Sequence, residues 1–342
     1  MTTANRPVVC FGELMIRLTA PGNQLLLQTP SFDITFGGAE ANVAVSLARL
    51  GTPSAMVTTL PDNALGRGGL DELRRYGVDV SGVRLAEGRM GLYFLTQGAV
   101  VRPSEIVYDR ADSAFAKAPA SAYDFEAALK GAGWLHVSGV TPAIGPNGAG
   151  AAQAAVSAAN RLGVSVSFDG NYRAKLWALW SGDGHAILRS LMEGADLAFV
   201  NERDIALVLG GSFLQDDPAE RRRRAAEAAF QAFPRLKRIA STFRVQHGVG
   251  EQELSAVMFT RDGAEHRTRS YALSGVVDRI GGGDAFAAGV LHGLSQGRGD
   301  AESLEFGLAA ACLKHGVPGD FNLIREADVE SLLSGESLDV RR

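Results

Sequence analysis

From Trp134 to the C-terminus, short apolar runs alternate with segments of helical period, and that rhythm leaves few topologies open. Trp134–Val137, Val164–Asp169, Asp196–Val200 and Arg238–Thr242 read as short strands. Pro146–Leu162, His185–Met192, Asn201–Leu209 and Ala219–Phe233 read as helices between them, with apolar residues recurring on one face. The first part of the chain carries the same alternation. Pro7–Gly12 reads as a buried strand, Val43–Leu50 as a helix ended by Gly51, Ser54–Leu60 as a strand and Ala64–Tyr76 as a helix closed by Gly77. Val257–Arg261 and Glu265–Tyr271 read as a late hairpin, and helices over Asp284–Ser295, Ala301–His315 and Arg325–Leu333 close the chain. Strands that alternate with helices predict an α/β fold of three layers, a mostly parallel central sheet covered by helices on both faces.

Two stretches break the rhythm. In Glu13–Phe36, short apolar pieces are interrupted by Pro21-Gly22-Asn23 and Thr29-Pro30, which suggests a small hairpin outside the main sheet. Met90–Val101 and Glu105–Asp109 read as strands joined by a turn near Arg102-Pro103. These segments predict a β lid formed by about 13–36 and 90–110, on a single domain of residues 1–342. The composition suits that size, with 46% hydrophobic and 21% charged residues.

Several functions are argued against. The net charge of -4 provides no basic footprint, so no nucleic-acid partner is expected. No apolar run approaches the length of a membrane span, and Met1–Pro7 is polar rather than the apolar core of a signal peptide. A cytoplasmic protein follows, with Cys10 and Cys312 reduced; the two match no zinc spacing. The histidines form no helical metal pair. There is no Gly-x-Ser-x-Gly elbow, no Walker lysine motif, and no Gly-x-Gly-x-x-Gly after the first strand. The run Arg221–Arg224 sits beside Glu220 and Glu227 and reads as a solvated helix face.

The chemistry concentrates in Asp278–Gly289. Gly281, Gly282 and Gly283 stand where an extended stretch hands over to a helix. Bare N–H groups and the helix dipole can hold an anion there, and glycine lets the backbone close on a phosphate. Asp284 lies in the first turn, where a base beside that phosphate would stand; an ordinary glycine loop with Asp284 as cap is the bland alternative. In an open α/β sheet, ligands bind at the carboxyl ends of strands. The loops expected there are Gly37–Asn42, Asp169–Arg173, Asn201–Asp204 and Ile280–Asp284. Together they suit a polar substrate and a phosphate donor.

Phe36-Gly37-Gly38-Ala39-Glu40-Ala41-Asn42-Val43-Ala44 resembles the first signature of the ribokinase-like (PfkB) sugar kinases, and Asp278–Gly289 resembles the second. Lid, rhythm and Asn201-x-x-Asp204 fit in order, so the resemblance spans nearly the whole chain. Within the family it is greatest to 2-keto-3-deoxygluconate kinases, through Tyr108–Ala114, Asp169-Gly170-Asn171-Tyr172-Arg173 and Val277–Asp284. Leu313-Lys314-His315 with Pro318-Gly319-Asp320-Phe321-Asn322 also fits that subgroup.

The resemblance implies the ribokinase-like fold and an ATP- and Mg²⁺-dependent kinase. Asp284 would be the base, kept ionised and weak by its helix N-terminus, with Gly281, Gly282 and Gly283 meeting the transferring phosphoryl group. Gly37, Gly38, Asn42, Tyr93, Tyr108, Arg110 and Arg173 would face the sugar. Asn201, Thr242, Arg244, Gly281, Gly283 and Asn322 would face the nucleotide, and Asp204, with Glu202, would serve magnesium. Some of these also have structural readings: Arg173 as a surface residue, Arg110 as a partner of Asp109 or Asp112, Tyr93 and Tyr108 as lid core or dimer contact, and Asn42 as a cap.

There are departures from the family. Asp204 stands where relatives carry glutamate. Arg17 stands where many neutral-sugar kinases carry an aspartate, which suits a negatively charged substrate. Arg279 and Ile280 replace a threonine-containing stretch, which argues against a monovalent cation such as K⁺ in that loop, though backbone carbonyls could still form a site. Three functions stand: a kinase for a sugar acid, 2-keto-3-deoxygluconate above others; a ribokinase- or fructokinase-like kinase for a neutral sugar; and a non-catalytic binding protein. Arg110 and Arg173 favour the first. An exposed apolar lid face would make the protein a homodimer or higher homo-oligomer.

Overall fold

The computed structural model describes residues 6–335; most of the polar stretch Met1–Pro7 and residues 336–342 lie outside it. Strands β1 (Val8–Phe11), β2 (Met15–Thr19) and β3 (Asp33–Gly37) precede helix α1 (Ala39–Arg49), followed by β4 (Ser54–Pro61), α2 (Ala64–Arg75), β5 (Val83–Ala86), β6 (Leu92–Thr96) and β7 (Glu105–Asp109). The one-turn helices α3 (Ala114–Lys117) and α4 (Phe125–Ala128) lead into β8 (Trp134–Ser138), α5 (Pro146–Leu162), β9 (Ser165–Asp169), α6 (Ala174–Trp177), α7 (Gly184–Glu193), β10 (Leu197–Phe199), α8 (Glu202–Leu209) and α9 (Pro218–Ala232). Next come β11 (Arg238–Gln246), β12 (Glu251–Thr260), β13 (Glu265–Arg267) and β14 (Tyr271–Ser274), then α10 (Gly282–Ser295), α11 (Asp300–Lys314) and α12 (Glu326–Ser334).

The strands form two sheets. The larger has the order β13-β12-β11-β10-β9-β8-β1-β4-β5, with β14 also on β12. From β11 to β5 every pairing is parallel, while β12 pairs antiparallel with β11, β13 and β14. Alternate residues of the central strands enter different cores. Val9, Phe11, Val166, Phe168, Ala198 and Val200 pack with α5, α7 and α9. Val8, Cys10, Leu197 and Phe199 pack with α1, α10 and α11. Period-two alternation in a sheet buried on both faces explains why these strands read as continuous apolar runs. Cys10 and Cys312 are both buried free thiols. Among the described residues, no helix is long and apolar enough to cross a membrane.

The smaller sheet, β3-β2-β6-β7, is built from the two stretches that broke the rhythm. Strands β2 and β6 run parallel at its centre, and each carries an antiparallel partner. Its inner face aligns Thr35, Arg17, Tyr93 and Tyr108 across the strands, and its outer face aligns Ile34, Leu18, Phe94 and Val107. Met15, Tyr93 and Leu95 form a small core that also takes in Ile280, so the lid packs on the glycine loop.

Candidate active site

The two glycine-containing segments meet at one hydrogen bond. Asn42 Nδ2 donates to Asp284 Oδ2 at 2.6 Å, and Asn42 Oδ1 accepts from the Gly38 N–H at 3.2 Å. Asn42 therefore does more than cap its own helix. Helix α10 begins after Gly281, and no side chain caps it, so its first N–H groups remain available to a ligand. Gly281 has φ +81°, and a Cβ there would lie 2.0 Å from the Asp320 carbonyl oxygen. The carboxyl of Asp284 is pushed up to about 8, first by burial and further by Asp169, Asp320 and Glu40. This corrects the expectation of an ionised, weak base: at this half-buried position partial loss of water outweighs the helix N-terminus. Glu40 braces the first segment from below, accepting from the Ser138 N–H and from the Ser138 and Thr141 hydroxyls.

Under the lid, a cavity of about 340 Å³ is lined by Gly38, Asn42, Tyr93, Tyr108, Arg110, Asn171, Arg173, Gly281, Gly283 and Asp284. Gly37 is not in that wall; a Cβ there would lie 2.1 Å from Asp320 Oδ2, so its part is to admit that carboxylate. Tyr93 donates to Asp320 at 2.5 Å and is 3% exposed, while the Tyr108 ring lies 6.1 Å from it and under Arg110. Arg110 is tied to buried Glu13, with Nε and Nη2 at 2.8 and 2.6 Å from Oε2, and Ser113 donates to the other Glu13 oxygen. Neither Asp109 nor Asp112 is its partner; Asp109 pairs with Arg89 instead. Both arginines expected at the sugar line this cavity, but Arg110 is paired with Glu13, whereas Arg173 is exposed, donates among the described residues only to the Tyr172 carbonyl at 3.4 Å, and lines both ends of the cleft.

Arg17 is likewise corrected. Its guanidinium is 2% exposed and bridges Asp278 at 2.6 Å and Asp320 at 2.9 Å, so it holds the lid to the glycine loop and does not read the substrate.

Toward α8 and β11, a second cavity of about 350 Å³ is lined by Asp169, Asn171, Arg173, Asn201, Asp204, Thr242, Gly283 and Phe286. Asn201 caps α8, and Asp204 Oδ2 accepts back from the Asn201 N–H at 3.0 Å. Asp169 is pushed up to about 7, by burial first and by the charge of Asp204 next. Glu202 faces Arg221 at 3.8 Å and does not line the cavity, because the helix turn that brings Asp204 inward sends it toward α9. Arg244 stands exposed on the projecting end of β11, beyond the cavity wall; Arg279 is depressed by burial first and by the charge of Arg244 next. Asn322 is a correction: it is 1% exposed, and its amide is spent on Ser46 and the Ile324 N–H, which anchor the loop after α11.

Several residues at the cleft were given no role by the sequence reading. Glu13 is buried under Arg110, and Asp169 and Asn171 line both cavities, with Asn171 at φ +33°. Asp320 gathers Arg17 and Tyr93. The strand-end rule placed the Asp169–Arg173 loop at the site, and the subgroup resemblance covered the segments that hold Asp169 and Asp320.

The pfkB family carbohydrate kinase pattern matches residues 5–326. A 2-dehydro-3-deoxygalactonokinase of Haloferax volcanii is 32% identical over 343 residues, 98% of this chain and 99% of its own. A 2-dehydro-3-deoxygluconokinase of Bacillus subtilis is 28% identical, with 92% and 91% covered. The crystal structure of a 2-dehydro-3-deoxygluconokinase from Thermotoga maritima superposes with a TM-score of 0.91 at 39% identity, covering 97% of this chain and all of that one.

Proposed function

Because the chain belongs to the pfkB family of carbohydrate kinases, we propose that it transfers the γ-phosphoryl group of ATP to a hydroxyl of a 2-keto-3-deoxy sugar acid, 2-keto-3-deoxygluconate above others. The relatives support this reading, since those at 32% and 39% identity are kinases of 2-dehydro-3-deoxy sugar acids. The observation that carries it is Arg173, a cation at the junction of the two cavities. A guanidinium meets a carboxylate through two parallel charge-assisted bonds. Arg110, neutralised by Glu13, fixes the rim of the lid beside it.

The residues divide the chemistry. Asp284 takes the proton of the attacking hydroxyl while Asn42 fixes its carboxyl. The N–H groups at the start of α10 meet the charge growing on the transferring group, each worth roughly 3 kcal/mol in the transition state. Gly38, Tyr93 and Tyr108 shape the sugar side, and Asn201 and Thr242 the donor side. For magnesium, the facing carboxylates Asp169 and Asp204 fit a divalent ion. Among the described residues no group of three or more ligating side chains stands together, which suits an ion held mainly by phosphates and water. When bound, Mg²⁺ supplies charge neutralisation at the phosphates. The cytoplasm is the proposed compartment.

The test is a panel of sugars and sugar acids, read by ATP consumption, with Arg173→Ala beside the wild type. Loss of a charge-assisted hydrogen bond, about 1.5–3 kcal/mol, should raise KM for the sugar acid about ten- to a hundredfold and leave KM for ATP nearly unchanged. Equal use of ribose or fructose by the wild type, or parallel weakening of ATP and sugar acid in the variant, refutes the carboxylate assignment.

A further inference from the structure

Lys314 has no part in the site as described, yet it is a fully buried lysine, 0% exposed. Its place follows from how α10 and α11 pack. Reading back along α10, Gly293 lies against Ser303, Gly289 against Gly307, Gly282 against His315 and Gly281 against Lys314. The helices are therefore antiparallel, and the C-terminus of α11 abuts the N-terminus of α10. A helix C-terminus carries roughly half a negative charge, the wrong sign beside an anion site. The His315 carbonyl is also drawn into the loop, accepting from the Val277 and Asp278 N–H groups at 2.9 and 3.2 Å.

Two buried carboxylates add to that negative charge. Asp278 and Asp320 share the single guanidinium of Arg17, which leaves the cluster one charge short of neutrality. Lys314 supplies it. Its Nζ donates to the Val317 carbonyl at 3.0 Å, and its Cε lies 3.2 Å from where a Gly281 Cβ would be. Burial, the larger effect, pulls the Lys314 ammonium below its ordinary range and Arg17 adds to that, while Asp278, Asp320 and Asp284 oppose it.

We propose that Lys314 is a built-in cation of the phosphoryl site: its ammonium, fixed behind Gly281, replaces a bound monovalent ion, so that turnover needs no K⁺. It is a positioning residue. It touches no reacting atom and acts by holding the Asp278–Gly283 loop, with its N–H groups aimed into the cleft, against the repulsion of Asp278, Asp320 and the α11 terminus. The inference rests on the kinase reading of this site.

Two measurements test it. First, the wild-type rate is read at saturating Mg-ATP and sugar acid in potassium, sodium and tetramethylammonium chloride of equal ionic strength. Equal rates are expected, and stimulation by K⁺ of about tenfold, the loss of one electrostatic contact in the transition state, overturns the proposal. A protein that turns over no sugar or sugar acid in any salt refutes the kinase reading itself. Second, Lys314→Met, similar in volume, is expected to lower kcat at least about tenfold with little change in KM for the sugar acid. Lys314→Ala should recover part of its kcat when K⁺, ammonium or methylammonium is added, with no matching change in its melting temperature. A wild-type kcat in Lys314→Met, or a folded Lys314→Ala that no cation rescues, overturns the proposal. If the alanine variant fails to fold, the methionine variant and the wild-type salt series decide.

Discussion

As the proposed base, Asp284 has its proton affinity set first by burial. Its carboxyl lies near pH 8, so at neutral pH much of the free protein holds it protonated. The kcat/KM for the sugar acid should therefore rise with pH and level off above about 8, and Asp284→Asn should remove that limb and cut turnover at least about a hundredfold. A profile flat from pH 6 to about 9 in the wild type would show that another group accepts the proton. Stability follows the same group with its own sign. The folded value lies above the unfolded one, so the stabilisation is fully present below about pH 3.8 and is lost as pH rises through about 8. Urea unfolding should show Asp284→Asn losing less stability than the wild type between pH 6 and about 9. Asp284 and its glycines were legible in the sequence because an anion site at a helix N-terminus is a local object. Arg110 was legible as an arginine at the site but not by its partner, since Glu13 lies 97 positions away and meets it only once the lid is formed. Arg17 misled for the same reason, as its two carboxylates come from the other end of the chain.

Among the elements, the α10–α11 pair is the tightest. A Cβ on Gly307 would lie 2.6 Å from Val290 Cγ2 and 2.9 Å from the Phe286 carbonyl oxygen. Gly307→Ala should thus cost about 1–3 kcal/mol by overpacking, read as a lower urea midpoint, and kcat should fall because the α10 N-terminus shifts with its helix. An unchanged midpoint would mean that the two helices separate freely. The long helices were readable because their apolar stripes repeat over several turns. Pro146–Leu162 has the bounds its pattern predicts. Strands β11 and β12 run well past the expected Thr242 and begin well before Val257. Their projecting parts alternate polar and apolar residues near the sheet edge, where hydrogen bonding to a neighbour rather than burial defines the strand. β5 and the one-turn helices α3, α4 and α6 were missed, being too short to show a period.

At the scale of the whole molecule, the lid has two unlike faces. The inner one is spent on Arg17, Tyr93 and Tyr108, while the outer row leaves Ile34 65% and Val107 45% exposed beside Leu18 and Phe94. We propose that a second copy of the chain covers that row. Ile34→Glu with Val107→Lys should convert a dimer into a monomer by light scattering, and a wild type that is already monomeric at micromolar concentration excludes the dimer. The parallel sheet was legible from its rhythm and the lid from its breaks, but the way the lid is fastened was not. Arg17 is joined to Asp320 across 303 positions of sequence. During synthesis at about 5–20 residues per second, that guanidinium waits roughly 15–60 s for its partner to leave the ribosome. A nascent chain can build the first strands and helices, the lid sheet included, in that interval, but the lid is not fastened to Asp320 until nearly the last helix has emerged. Termination anywhere before Asp320 therefore leaves Arg17 without at least one of the two carboxylates that hold the lid down.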